Sequence, residues 1–177
     1  FGCANGATSA LLANEIKSTN KQLWLYDSFK GLSRPSRKDG LMDDILNLKS
    51  MERYEGAMSY PVDEVRKRLS VVKIPDNRVK IIPGYIEESI DKNLPKKICF
   101  AYLDFDLYLP IITTLRKING LIPVGAYIMV DDYNFFSSGV KKAVDEFVRE
   151  NRSAYKLILP KPFAGHFCIL EKIKRKL

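Results

Sequence analysis

The chain has 177 residues, a formal net charge of +8 and 46% hydrophobic residues. That size suits one domain with a core that needs neither disulfides nor structural metal, and the composition excludes wholesale disorder, collagen and coiled coil. No run of about 18 apolar residues occurs, so no helical membrane span is expected. The positive balance admits an anionic partner, but no Lys/Arg stripe with interleaved aromatics accompanies it. Solvated surface lysine is the simpler reading, with Lys172, Lys174, Arg175 and Lys176 as a solubilising tail. Cys3, Cys99 and Cys168 are widely spaced in apolar surroundings and read as reduced core residues of a cytosolic protein.

In chain order, Phe1-Gly-Cys-Ala-Asn-Gly6 is a glycine turn, continued by a short helix over Ala10–Lys17. Such a turn ordinarily follows a strand, so a strand is expected upstream and the chain is expected to be a fragment. Gln22–Tyr26 reads as a strand stopped by Asp27, and Val79–Ile82 as a second stopped by Pro83-Gly84. Ile98–Leu103 and Ala126–Val130 are two more, ending at Asp104 and at Asp131-Asp132. Helical spacing marks Pro110–Ile118 and the amphipathic Lys141–Glu150, where Val140, Val144, Phe147 and Val148 share a face. Tyr155–Leu159 and Phe167–Leu170 suit an antiparallel hairpin joined through Pro160–Gly165. Residues 28–73 are a long polar insertion with helix-compatible patches at Met42–Met51 and Val62–Leu69. The part from 33 to 73 is expected to be a lid or substrate-binding element.

Alternating strands and helices with apolar strands predict an α/β fold, mostly parallel and covered on both faces. Ligands of such sheets bind beyond the carboxyl ends of the strands, where Asp27, Gly84, Asp104 and Asp131 all fall. Glycines and a helix start at Gly2–Ser9 would let a backbone approach an anionic ligand. The spacing is neither that of a phosphate-binding loop with Gly-Lys-Ser/Thr nor Gly-x-Gly-x-x-Gly. Asp27, about 20 residues on, could accept ribose hydroxyls; a turn-capping aspartate is the plainer alternative. Asp104, Asp106, Asp131 and Asp132 bring four carboxylates to the ends of neighbouring strands. Like charges so gathered call for a compensating cation, and with one histidine and no close cysteine pair a hard ion such as Mg²⁺ is favoured over zinc. His166 has no partner that suggests a base or a triad, and a structural role is simpler.

Phe1-Gly-x-x-x-Gly6, YDSFKGL at 26–32, LDFDLY at 103–108, VDDY at 130–133 and KKAVDEF at 141–147 occur in this order over roughly residues 1–150. The set resembles the macrocin O-methyltransferase family of metal- and S-adenosylmethionine-dependent sugar O-methyltransferases. The resemblance implies a class I methyltransferase, Rossmann-like sheet with an antiparallel C-terminal hairpin. It implies a cofactor site made by Gly2, Gly6, Thr8, Ser9, Asp27, Ser28, Gly84 and Tyr85. It also implies a Mg²⁺ site at Asp104, Asp131 and Asp132, and Asp106 as general base. The expected acceptor is a small molecule or glycan, in the cytoplasm, with a homo-oligomer left open. Three rivals stand beside this reading. A catechol-type O-methyltransferase would want aromatic platforms, yet residues 33–73 hold only Tyr54 and Tyr60 as aromatics. An RNA methyltransferase or nucleic-acid binder would use the positive charge, although no RNA-binding module is recognisable. A catalytically dead protein would bind no cofactor.

Overall fold

The computed structural model describes residues 1–161 and 164–174. Among these residues five helices, α1 (Ala7–Ile16), α2 (Val62–Val72), α3 (Ile86–Ser89), α4 (Tyr108–Ile118) and α5 (Ser138–Glu150), alternate with six strands. The strands are β1 (Leu23–Asp27), β2 (Val79–Pro83), β3 (Phe100–Leu103), β4 (Tyr127–Val130), β5 (Tyr155–Ile158) and β6 (Cys168–Lys172). β1 pairs in parallel with β2, and β3 in parallel with β4. β6 lies antiparallel between β4 and β5, so the expected hairpin closes the sheet. Pro162 and Phe163, in the connection between β5 and β6, lie outside the described residues, as do Arg175 and Lys176 of the basic tail.

The alternation of side chains along each strand sends apolar residues to both faces. Leu23 and Leu25 of β1 pack with Ala13 of α1 and with Val65 and Leu69 of α2. Tyr26 of the same strand faces the other way, into a larger core with Ile82, Ile86, Ile111, Leu115, Val144 and Phe147. α4 carries Pro110 within its first turn, where a missing N–H costs no helical hydrogen bond, and buries Ile111, Leu115 and Ile118 completely. Each such side chain contributes roughly 1.5–3 kcal/mol. α5 starts three residues before the predicted stretch because the Ser137 hydroxyl accepts the Gly139 N–H (2.9 Å), a serine N-cap.

β1 and β3 are not paired with each other. Phe1 and Gly2 bridge their ends: the Phe1 nitrogen donates to Tyr102 O (2.9 Å) and Asp104 N–H to Phe1 O (2.9 Å). Gly2 N–H donates to Tyr26 O (2.8 Å) on the other side. Below this bridge runs a slot of about 730 Å³ lined by Leu23, Leu25, Phe100, Ala101 and Tyr102. Residues that bond both neighbours at once set the interval at one strand's width, since adjacent strands stand about 4.8 Å apart.

Three expectations change. Met42–Met51 is not helical: only Met51–Tyr54 forms a 3-10 turn. Asn47 and Lys49 take positive φ, and the Asp44 carboxylate accepts N–H from Leu48 and Lys49, a local bond that competes with helix. Cys99 is exposed rather than part of the core, because it lies on the slot, while Cys3 and Cys168 are buried. Lys172 is no solubilising residue: it is 4% exposed in β6, and its ammonium donates to Asn119 Oδ1 (2.8 Å). Within the insertion, α2 is a crossover helix packed on α1. Residues around Leu32, Leu41, Met51 and Tyr54 pack on Leu107 and Phe136, beside the ends of β3 and β4.

Candidate active site

The glycine turn, β1 and β2 meet at their carboxyl ends. Asp27 Oδ2 accepts the N–H of Cys3 (2.6 Å) and of Ala4 (3.2 Å), and Oδ1 accepts that of Phe29 (2.7 Å). Asp27 therefore fixes the turn as well as its own loop. Gly84 N–H donates to Asp27 O (2.9 Å), which ties the end of β2 to the same point. Tyr85 caps α3 beside it. The Ser28 hydroxyl donates to Gly31 O (2.7 Å) and accepts from Lys30 N–H (2.9 Å), so it shapes the chain that leaves β1. Gly6 caps α1 in a left-handed conformation. Thr8 and Ser9, on the first turn of α1, line the slot, and Ser9 is buried there. Gly2, Gly6, Asp27, Ser28, Gly84 and Tyr85 are thus gathered at the sheet's carboxyl edge, with Thr8 and Ser9 behind them.

The turn also abuts the carboxylates. Gly2 has φ +75°, and a Cβ there would stand 1.8 Å from the Asp104 carbonyl oxygen. Only glycine lets the two loops approach this closely. Replacing Gly2 by Ala should therefore separate cofactor turn from carboxylate loop, lowering the melting temperature and weakening any ligand that touches both; an unchanged melting curve would contradict this contact.

Asp104, Asp106 and Asp132 are half-buried, and one oxygen from each lies within 4.8 Å of the others. Asp106 (φ +63°) and Asp132 (φ +52°) both take the left-handed backbone, a strain that loops accept when something holds them. Burial, aided by Asp131 and Asp132, pushes the Asp104 carboxyl up to about 7. Burial and a hydrogen bond with Asp132 raise Asp106 well above the usual carboxylate range. Asp132 is raised too, by burial first and then by Asp131, and lowered by Asp106 and His166. Asp131 is turned aside, accepting the Tyr102 hydroxyl proton at Oδ2. The structure thus groups Asp106 with Asp104 and Asp132, whereas the sequence reading placed Asp131 in that trio and Asp106 apart.

The donor set fits a hard divalent cation. It is all carboxylate oxygen, and an octahedron with bonds of about 2.0–2.1 Å spaces its ligands about 3–4 Å apart. A cation would also offset the burial and mutual repulsion that raise these carboxyls. Sequence reasoning missed three neighbours. His166 stacks on Phe135 (centroids 4.2 Å apart), three residues beyond Asp132. Tyr102 holds Asp131. Asp39, from the insertion, reaches the backbone behind Asp106. A lone histidine, an ordinary strand tyrosine and a loop aspartate carry no local signal of such placement.

The macrocin-O-methyltransferase (TylF) family model matches residues 2–158. The chain belongs to that family. Among curated relatives, demethyldecarbamoylnovobiocin O-methyltransferase of Streptomyces niveus is 26% identical over 137 residues, covering 77% of this chain and 50% of the relative. The 8-demethyl-8-(2,3-dimethoxy-alpha-L-rhamnosyl)-tetracenomycin-C 4'-O-methyltransferase of Streptomyces olivaceus is 23% identical over 135 residues, 75% and 51% of the two chains. This chain therefore spans about half the length of these relatives. The solved O-methyltransferase NovP superposes with TM-score 0.79 at 21% identity, over 97% of this chain and 69% of its own. An O-methyltransferase from Bacillus cereus, solved in complex with SAH, superposes with TM-score 0.59 at 13% identity, over 97% and 71%. The fold is that of class I methyltransferases. No helix among the described residues is long and apolar enough to cross a membrane.

Proposed function

We propose that this chain carries the catalytic site of an S-adenosylmethionine- and Mg²⁺-dependent O-methyltransferase whose acceptor is a hydroxyl of a sugar or glycosylated natural product. The observation that carries this is the convergence of Asp104, Asp106 and Asp132 beside the Asp27-pinned glycine turn, in a chain of this family. When bound, the cofactor supplies an electrophilic methyl group, and the cation lowers the pKa of an acceptor hydroxyl. Asp104 and Asp132, with Asp131, would hold the cation. Asp106 takes the acceptor proton: its burial makes it a stronger base than an exposed carboxylate. The turn at Gly2–Gly6, with Asp27, Ser28, Gly84 and Tyr85, positions the cofactor. The rhamnosyl group in the name of one relative's substrate supports a sugar acceptor.

The test uses the intact protein with labelled S-adenosylmethionine, Mg²⁺ and panels of glycosides, catechols and RNA, read by mass spectrometry. Label is expected on a glycoside hydroxyl and should vanish with a chelator. S-adenosylhomocysteine should raise the melting temperature, and Asp27→Ala should weaken that shift by loosening the turn. Label confined to catechols or RNA would overturn the acceptor class; no stabilisation by S-adenosylhomocysteine would overturn the reaction.

The slot between β1 and β3 belongs to the same proposal. An extended segment leading into Phe1 fits it, paired in parallel with both strands, and would seat the glycine turn. Cys99 lines the slot and is exposed, so a thiol reagent should label it in the 177-residue chain and spare it in a chain that carries such a segment. Equal labelling of the two would show that no strand fills the slot.

A further inference from the structure

The two loops that carry the carboxylates are strained at Asp106 and Asp132, so what holds them matters. Residues 36–43 of the insertion run across both. At their centre is Asp39, 9% exposed. Its Oδ1 accepts the Tyr108 N–H (2.7 Å), two residues beyond Asp106, and the Ser137 hydroxyl (3.2 Å), five residues beyond Asp132. Its Oδ2 accepts the Ser36 N–H (2.8 Å) and the Ser36 hydroxyl (2.7 Å). Four donors converge on one carboxylate. Each oxygen has an acceptor role, so an amide cannot satisfy both sides. Gly139 makes the room: a Cβ there would stand 1.8 Å from Asp39 Oδ1.

Backbone bonds run alongside. Gly40 N–H donates to Ser138 Oγ (2.9 Å), Ser138 N–H to Gly40 O (2.9 Å) and Met42 N–H to Phe136 O (3.0 Å). Lys38 adds a grip on the side chain of Tyr108, with its ammonium 3.9 Å from the ring centroid and 2.9 Å from Glu146 Oε2. The segment is a splint laid across the two loops.

We infer that Asp39 is a positioning residue, which clamps the Asp104–Tyr108 and Asp131–Ser137 loops into one arrangement so that their carboxylates converge. This rests on the reading of those carboxylates as the catalytic site. Asp39 touches no reacting atom; it acts through Tyr108 N–H and Ser137. Residues that orient metal ligands from behind typically change metal affinity or activity by about 10–100-fold.

The test compares the intact native protein with Asp39→Asn, Gly139→Ala and the double variant. Alanine is otherwise the better helix residue, so Gly139→Ala attacks the clamp without weakening α5. Three readouts are taken: amide hydrogen exchange without metal, Mg²⁺ affinity by calorimetry, and S-adenosylhomocysteine affinity. Each single variant should speed exchange in both carboxylate loops together by about tenfold or more while β1, β3 and β4 keep native rates. Mg²⁺ affinity should fall about 10–100-fold, with S-adenosylhomocysteine affinity within about twofold of native. The double variant should be no worse than the worse single one, because both remove one contact. Native exchange in either loop, effects that multiply in the double variant, or equal losses of both ligands would overturn the inference. If the native protein binds no Mg²⁺, the metal reading falls, and the exchange result alone decides whether Asp39 is the clamp. Should Asp39→Asn not fold, Ser137→Ala, which removes one donor to Oδ1, is judged by the same three readouts.

Discussion

Asp104→Asn and Asp132→Asn are each expected to abolish saturable Mg²⁺ binding and to lower turnover by at least about 10³-fold. Both residues contribute an oxygen to the same cluster, within 4.8 Å of its other members. An amide keeps the shape but removes the charge that holds a hard cation. Asp106→Asn separates two roles that the structure brings close together. As general base, Asp106 should be dispensable for Mg²⁺ affinity and for cofactor affinity, while turnover falls about 10²–10⁴-fold, the usual contribution of such a group. As a third ligand, it should lose Mg²⁺ as the other two do. Asp131→Asn is the converse experiment. Its Oδ2 is held by Tyr102, so weak Mg²⁺ binding in that variant would mean that Oδ1 joins the cation. Native affinity would mean that Asp106 is the third ligand and that the base must be sought elsewhere. Calorimetry and single-turnover rates on the same four variants decide between these assignments.

Much of the sheet could be read from residue order because the strand signal is local. Apolar runs such as QLWLY and ICFAYL end in an acid that cannot continue into the core, so strand ends, and with them the crevice, were legible. The face formed by Val140, Val144 and Phe147 on α5 was legible for the same reason, and all three are buried. Features set by particular side-chain hydrogen bonds were not. The Met42–Met51 patch has helical spacing, yet Asp44 spends its carboxylate on Leu48 and Lys49, and Tyr54 OH donates to it as well (2.8 Å). Lys172 reads as part of a basic tail, but β6 carries it inward to Asn119, more than 50 residues away in sequence. Asp39 lies between Lys38 and Gly40 in a polar stretch, and its partners are Tyr108 and Ser137, 69 and 98 residues on. For the four carboxylates, residue order showed that they fall at strand ends, while their grouping depends on the left-handed turns at Asp106 and Asp132 and on Tyr102.

Without divalent cation, the intact protein is expected to melt roughly 5–10 °C lower at pH 8 than at pH 5. The argument follows the protons. Asp104 has its carboxyl pushed from 3.8 to about 7 by burial and by Asp131 and Asp132, and Asp106 and Asp132 move in the same direction. A carboxyl raised on folding binds its proton more tightly in the native state. Its stabilising effect is complete below the unfolded value near 4 and is lost as pH rises through the folded value near 7. Of that shift of about three units, about two lie between pH 5 and the folded value near 7; their loss costs about 2.7 kcal/mol, and about 1 kcal/mol moves a chain of this length by roughly 2–4 °C. Glu146, lowered to about 2 by Lys38 and Tyr108, has the opposite sign but loses its contribution only below about pH 4.5, outside this window. Mg²⁺ should offset the trend, since it binds the ionised form; at about 100 times its dissociation constant it adds about 2.7 kcal/mol at pH 8 and little at pH 5. Glu87 is also raised by burial, but it lies outside the cluster and should not respond to Mg²⁺. Asp104→Asn, neutral at every pH, should therefore reduce the metal-free dependence and erase the Mg²⁺ rescue. Differential scanning calorimetry at the two pH values, with and without Mg²⁺, reads all of this. A metal-free protein as stable at pH 8 as at pH 5 would show that the gathered carboxylates ionise without cost, and that no cation is needed to hold them together.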